Sequence, residues 1–260
     1  LQSFFLQKNL LMRKLEVSLS PALLHLFDTN DKCVVIIDVF RATSTIATAL
    51  YNGAVNIIPV ATVDGCIALG NSIPNSITAG ERDGKVAQGL QYGNSPSEYP
   101  ASFIEGKNLI LTTTNGTRLL HMVENAHSIV IGSFPNLSSV VNYIKGQSKD
   151  VILACASWKD RFNLEDALFA GAVANLVKSE FDITCDSAHA CMSLDDSANS
   201  NYFEYLKRGS HYNRLSGYGL ESDMVLCTTV DSCPIIPILD TYNYIDELGS
   251  TKLIASIIKG

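Results

Sequence analysis

The chain has 260 residues, of which 47% are hydrophobic and 17% charged, so it holds apolar material for a large core and is not a disordered polymer. With 19 Lys and Arg against 26 Asp and Glu, the formal charge is −7, the wrong sign for gripping a nucleic-acid backbone, and nucleic acid is not expected as a partner. No apolar run approaches the roughly 18 residues of a membrane-spanning helix, and the 7 cysteines form no C-x-x-C pair, a pattern expected of reduced, buried thiols in a cytoplasmic protein without a membrane partner.

Taken from the start, Leu1 to Leu11 are apolar and precede the basic Met12-Arg13-Lys14, the reverse of a secretory signal. Met12 reads as the natural start, and residues 1–11 as an upstream extension outside the fold. From Leu15 onward short β-branched runs alternate with polar loops and helical stretches. The strands expected are Leu15 to Leu19, Val34 to Val39, Asn56 to Val60, Ser76 to Ala79, Leu109 to Thr112, Ile129 to Gly132, Val151 to Ala156 and Ile235 to Leu239. Helices are expected at Thr43 to Tyr51, Val63 to Leu69, Thr117 to Val123, Leu137 to Ile144 and Leu164 to Lys178, with one or more in Asp195 to Lys207. Val34 to Ile37 is apolar at successive positions, so both of its faces should be covered. The expectation is an α/β protein, a three-layer α/β/α sandwich with a largely parallel or mixed sheet, forming one domain over 12–249 with residues 250–260 as a C-terminal tail. Phe181 to Gly219 is more polar and less periodic, a helical excursion whose role composition does not reveal.

In parallel sheets ligands bind beyond the carboxyl ends of the strands. Here those positions carry Asp38-Val39-Phe40-Arg41-Ala42-Thr43-Ser44-Thr45, Gly80-Glu81-Arg82-Asp83-Gly84-Lys85, Thr112-Thr113-Thr114-Asn115-Gly116-Thr117-Arg118 and Ser157-Trp158-Lys159-Asp160-Arg161. A hydroxyl-rich turn running into a helix leaves several backbone N–H groups aimed at one point. Thr114, Asn115, Gly116 and Thr117 therefore read as an anion cradle, with an ordinary helix cap as the alternative. Arg41, Arg82, Arg118 and Lys159 are the candidate cations for the substrate, with Lys85 and Arg161 as further ones. Asp38 closes an apolar strand, where a charge is costly without a task. It could bind a hard cation, attack phosphorus, or simply pair with Arg41. Asp38, Glu81 and Asp166 are the candidate catalytic carboxylates, and Asp38, Glu81 and Glu165 an oxygen-only ligand set suited to Mg²⁺. The Glu165-Asp166 pair has a plainer reading as the acidic first turn of a helix. The 5 histidines show no metal spacing, and neither a Walker loop nor a G-x-S-x-G elbow occurs.

Five motifs in order, Asp38 to Thr45, Gly80-Glu81-Arg82, Gly93-Asn94-Ser95-Pro96, Thr113 to Thr117 and Leu164-Glu165-Asp166, resemble the 2-phosphosulfolactate phosphatase family over nearly all of Leu15 to Leu239. The resemblance implies an α/β/α enzyme that uses Mg²⁺ to cleave a small anionic phosphate ester, 2-phospho-3-sulfolactate, in coenzyme M biosynthesis. A homo-oligomer is compatible with it. Two chemistries stay open, attack by Asp38 and attack by a metal-activated water. The competing classes are a non-catalytic anion-binding regulator and another phosphoryl transferase.

Overall fold

The computed structural model describes residues 12–82, 84–113, 116–245 and 251–260; for 116–117, 242–245 and 251–253 only the backbone is described. The apolar runs form strands β1 (Arg13–Ser18), β2 (Cys33–Ile37), β3 (Asn56–Pro59), β4 (Ser76–Arg82), β5 (Lys85–Val86), β6 (Asn108–Thr112), β7 (Ser128–Gly132), β8 (Val151–Cys155), β9 (Phe181–Asp182), β10 (Pro237–Ile245) and β11 (Thr251–Lys259). The helices between them are α1 (Ala42–Tyr51), α2 (Val63–Ser72), α3 (Ala101–Ile104), α4 (Gly116–Met122), α5 (Leu137–Gly146), α6 (Leu164–Val177), α7 (Asp186–Ala198), α8 (Tyr202–Leu206), α9 (Ser210–Ser216) and α10 (Glu221–Thr228).

The strands make one mixed sheet in the order β5-β4-β6-β3-β11-β10-β7-β2-β8-β1-β9. Two parallel groups, β4-β6-β3 and β7-β2-β8-β1-β9, are joined by the antiparallel β10–β11 hairpin. The hairpin meets each group through one registered pair, Ile238 with Val130 and Ile257 with Ile57. Residues 251–259 are thus a sheet strand, and the C-terminal tail expected there is corrected. A segment with three isoleucines that bridges two sheet groups gains pairing on both sides, which a free tail would forgo.

Successive residues of one strand enter different cores, the mark of a sheet covered on both faces. Cys33, Val35 and Ile37 pack with Val140, Ile144 and the α6 residues Leu168, Phe169 and Val173. Val34 and Ile36 pack instead with Ile46 and Leu50 of α1 and Leu119 of α4. The helix layers on the two faces bear out the expected α/β sandwich. Helix α6 is buried along most of its length because α7 lies across it. Gly171 makes that approach feasible, since a Cβ there would stand 2.0 Å from the Cys191 carbonyl oxygen. From α7 the chain continues through α8, α9 and α10, so the helical excursion extends to Thr228, beyond its expected end. All 7 cysteines are free thiols, and among the described residues no helix is long and apolar enough to cross a membrane.

Candidate functional site

The first turn of the site forms because its own side chains satisfy its backbone. After β2, the Asp38 N–H donates to Thr43 Oγ1 at 3.1 Å, Ser44 Oγ donates to the Val39 carbonyl at 2.9 Å, and Thr45 Oγ1 donates to the Asn94 carbonyl at 3.1 Å. These buried hydroxyls therefore shape the turn. The Ala42 N–H, at the start of α1, donates to the Asp38 carboxylate. That residue is only 8% exposed. Burial pushes its carboxyl up to about 7; His211 nearby opposes the shift, while Glu81 and Glu165 reinforce it by like-charge repulsion.

Asp38 lies on the wall of a pocket with about 670 Å³ of space, its open mouth included. Arg41, Thr113 and Lys159 come to the same pocket from the loops after β2, β6 and β8, Glu81 from the end of β4, and Asn94 joins them from the Gly93–Pro96 loop. Phe40 and Trp158 supply aromatic wall, and α9 with its following turn supplies His211, Arg214 and Tyr218. Glu81 is set by its own tight turn, its Oε2 accepting the Gly84 N–H at 2.9 Å. Gly80 brings β4 close enough to β6 to place that turn, for a Cβ there would meet the Thr112 carbonyl oxygen at 2.5 Å. Ser157, Lys159 and Asp160 all have left-handed backbone, with φ of 55°, 51° and 61°. Such strain in non-glycine residues clusters at functional loops. It presents Trp158 between two cations, with Arg214 Cζ 3.8 Å and Lys159 Nζ 4.7 Å from the ring centroid.

The expected site residues separate into groups. Asp38, Arg41, Glu81 and Lys159 meet in the pocket. Arg41 does not pair with Asp38; its Nη1 lies 2.6 Å from Asp223 Oδ2, and Asp223 Oδ1 also accepts from Ser95 Oγ at 2.5 Å and Ser97 Oγ at 3.1 Å. One buried carboxylate of α10 thereby ties Arg41 to the Gly93–Pro96 loop. Asp166 lines no part of the pocket. Its oxygens accept the Val39 N–H at 2.8 Å and the Ser157 N–H at 3.1 Å, clamping together the turns after β2 and β8. Burial, with Glu165 and Asp38 beside it, holds that carboxyl well above its usual range.

Glu165, 1% exposed, contacts His211 Nδ1 instead of joining Asp38 and Glu81. Among the described residues no three His, Cys, Asp or Glu side chains gather around one point. The expected Asp38, Glu81 and Glu165 ligand set is corrected to two pocket carboxylates, because Glu165 is occupied by the imidazole. Arg82 is not on the pocket wall either; it donates to the Glu81 carbonyl at 2.6 Å and approaches Thr112 Oγ1 at 3.4 Å. Arg118 is exposed and pairs with Asp160 at 2.9 Å. Thr114 and Asn115 lie outside the described residues, and of Gly116 and Thr117 only the helical backbone is described, at the start of α4.

Sequence reading missed His211, Arg214, Tyr218 and Asp223. His211 sits in no motif spacing, and Asp223 is one acid among several in a polar helix. The only usable signal was that Gly93 to Pro96 is a loop motif with no stated partner.

Comparison with known proteins follows the same motifs. Residues 18–241 match the family described as 2-phosphosulpholactate phosphatase. A Thermotoga maritima protein named "Probable 2-phosphosulfolactate phosphatase" is 42% identical over 208 residues, covering 80% of this chain and 89% of the relative. A protein of the same name from Caldanaerobacter subterraneus subsp. tengcongensis is 39% identical over 213 residues, covering 81% of this chain and 88% of the relative. The chain belongs to the 2-phosphosulfolactate phosphatase family.

Proposed function

We propose that the chain is a Mg²⁺-dependent phosphatase that hydrolyses 2-phospho-3-sulfolactate, or a related 2-phosphohydroxycarboxylic acid, to the hydroxy acid and phosphate. The observation that carries this reading is the meeting of two carboxylates, Asp38 and Glu81, with the cations Arg41 and Lys159 on one pocket wall in a member of this family. Mg²⁺ prefers oxygen donors and keeps several waters and substrate oxygens, so two carboxylates suit it. Asp38 and Glu81 would hold the ion, which when bound supplies Lewis-acid charge to the phosphoryl group.

The remaining work falls to the chain. Arg41, oriented by Asp223, donates to a substrate oxyanion, and Lys159 adds charge at the mouth. Trp158 and Phe40 limit water around the ester. His211, whose Nδ1 is engaged by Glu165, is the proton donor for the leaving oxygen, and Glu165 is its positioning residue. The experiment is phosphate release from a panel of 2-phosphohydroxycarboxylic acids, with and without Mg²⁺. Release that needs the cation is expected; full activity in EDTA after metal stripping removes the metal from the reading. Tight binding without turnover would return the chain to the anion-binding regulators, and phosphate passed to an acceptor other than water to the transferases.

A further inference from the structure

The Gly93–Pro96 loop is held from several sides, and its bonds surround one side chain that none of them uses. Glu98 draws the loop together, its Oε1 accepting the Gly93 N–H at 3.2 Å and its Oε2 the Ser95 N–H at 3.1 Å. The buried Tyr99 hydroxyl donates to the Gly93 carbonyl at 2.7 Å, and Thr45 Oγ1 of α1 donates to the Asn94 carbonyl at 3.1 Å. Gly93 permits the close approach, since a Cβ there would lie 2.8 Å from Glu98 Oε2. The backbone on both sides of Asn94 is therefore fixed.

Asn94 is 4% exposed, and it lines the catalytic pocket. Its Oδ1 is closed off with no hydrogen-bond partner, and no described residue accepts from its Nδ2. The end of the amide open to the pocket is thus Nδ2. Burying an amide whose acceptor stays unpaired is costly, and an apolar side chain of the same shape would avoid the cost. Such a breach of polar pairing is retained where the free donor has a task. The next residue ties that donor to a charged one. Ser95 Oγ donates to Asp223 Oδ1 at 2.5 Å, and the other oxygen of the same carboxylate holds Arg41 Nη1 at 2.6 Å. One buried carboxylate so sets the guanidinium and the loop that carries the amide in a single register.

We propose that Asn94 is a specificity-determining residue whose Nδ2 donates to an anionic oxygen of the substrate, a neutral donor working beside the charged Arg41. A fixed buried donor is left unpaired by any ligand without an acceptor at that point, and the site rejects such a ligand. The proposal deepens the phosphatase reading and rests on it for the substrate's identity; the amide's place in an anion-binding pocket does not.

Trp158 is the chain's single tryptophan and lines the same pocket, so its fluorescence follows occupancy. The full chain is titrated with 2-phospholactate in metal-free buffer, and kcat/KM for the same ester is measured with Mg²⁺. Asn94→Ala should weaken binding and lower kcat/KM, each about ten-fold or more, with the urea midpoint at or above that of the unaltered protein, because the amide it removes was unpaired. Asn94→Asp, of equal size but negatively charged, should bind the ester more weakly still. Unchanged binding in Asn94→Ala overturns the proposal, as does a loss of binding that tracks a loss of stability. An Asn94→Asp protein that binds Mg²⁺ more tightly and turns over normally would show the amide oxygen facing the cation, which also overturns it. The expected order of binding in a protein that releases no phosphate would keep Asn94 and discard the phosphatase; normal release by both variants would discard Asn94 alone.

Discussion

Two arginine–aspartate pairs stand near the candidate pocket, and they differ in everything except composition. Arg41 is on its wall and Asp223 holds it from behind, with side chains 6% and 3% exposed; Arg118 and Asp160 do not line it and form an outer, rim pair on the strand-end loops, 55% and 39% exposed. In the wall, Asp223 must also satisfy two serine hydroxyls, so the carboxylate is fixed from three directions and Arg41 is held as an oriented donor. At the rim both ions keep their water, and salt screens what remains. The residue types at a strand end thus say little about role until burial is known.

The largest effect that tests this contrast is on turnover at the inner wall. Asp38→Asn keeps the shape of the turn and removes its charge, and phosphate release should fall by roughly 10²–10⁴-fold. A folded variant with near-normal turnover would take Asp38 out of the chemistry. A base-labile phosphoenzyme trapped in the unaltered protein and absent from the variant would assign Asp38 as the nucleophile instead of a metal ligand.

Next is stability. Asp223→Ala strands Arg41 as an uncompensated buried cation, and urea unfolding should show a loss of about 3–5 kcal/mol. A loss below about 1 kcal/mol would make the wall pair behave like the rim pair, and the comparison would collapse.

A smaller effect follows from pH in metal-free buffer. The Asp38 carboxyl is pushed up to about 7 in the folded chain and returns to about 3.9 when unfolded. Between roughly pH 4 and 7 the native state therefore retains a proton that the unfolded state has released, and stability falls as pH rises through this window. Asp166, shifted in the same direction, adds to the slope. Melting temperatures at pH 5 and 8 should differ less in Asp38→Asn than in the unaltered protein; an unchanged difference would locate the slope elsewhere.

The smallest effect belongs to the rim. Arg118→Ala should cost no more than about 1 kcal/mol of stability and change kcat/KM by less than about five-fold. A larger kinetic loss would show that Arg118 leaves Asp160 for the substrate during turnover.

Much of the architecture is legible in the order of residues alone. β2 is apolar at every position because helices cover both sheet faces, and that burial leaves its imprint on the sequence itself. The residues after each strand are legible for a related reason, since only that edge can assemble separate loops over one ligand. Asp38, Glu81, Arg41 and Lys159 are found this way.

The partners of these residues are decided elsewhere. Glu165 and Asp166 are adjacent in the chain and read as one acidic turn. Yet neighbours on a helix point about 100° apart, so one reaches His211 and the other clamps the turns after β2 and β8. His211, Arg214 and Asp223 come from a polar stretch with no motif spacing, and they enter the site because α6 and α7 close over Gly171 and carry α9 and α10 to the pocket. The β10–β11 hairpin is half legible, its first strand by β-branched content and its second not at all, since its place depends on two sheet groups far away in sequence. Local periodicity records which face of an element is buried; only the packing of distant elements determines which charges share a cavity and which remain in water.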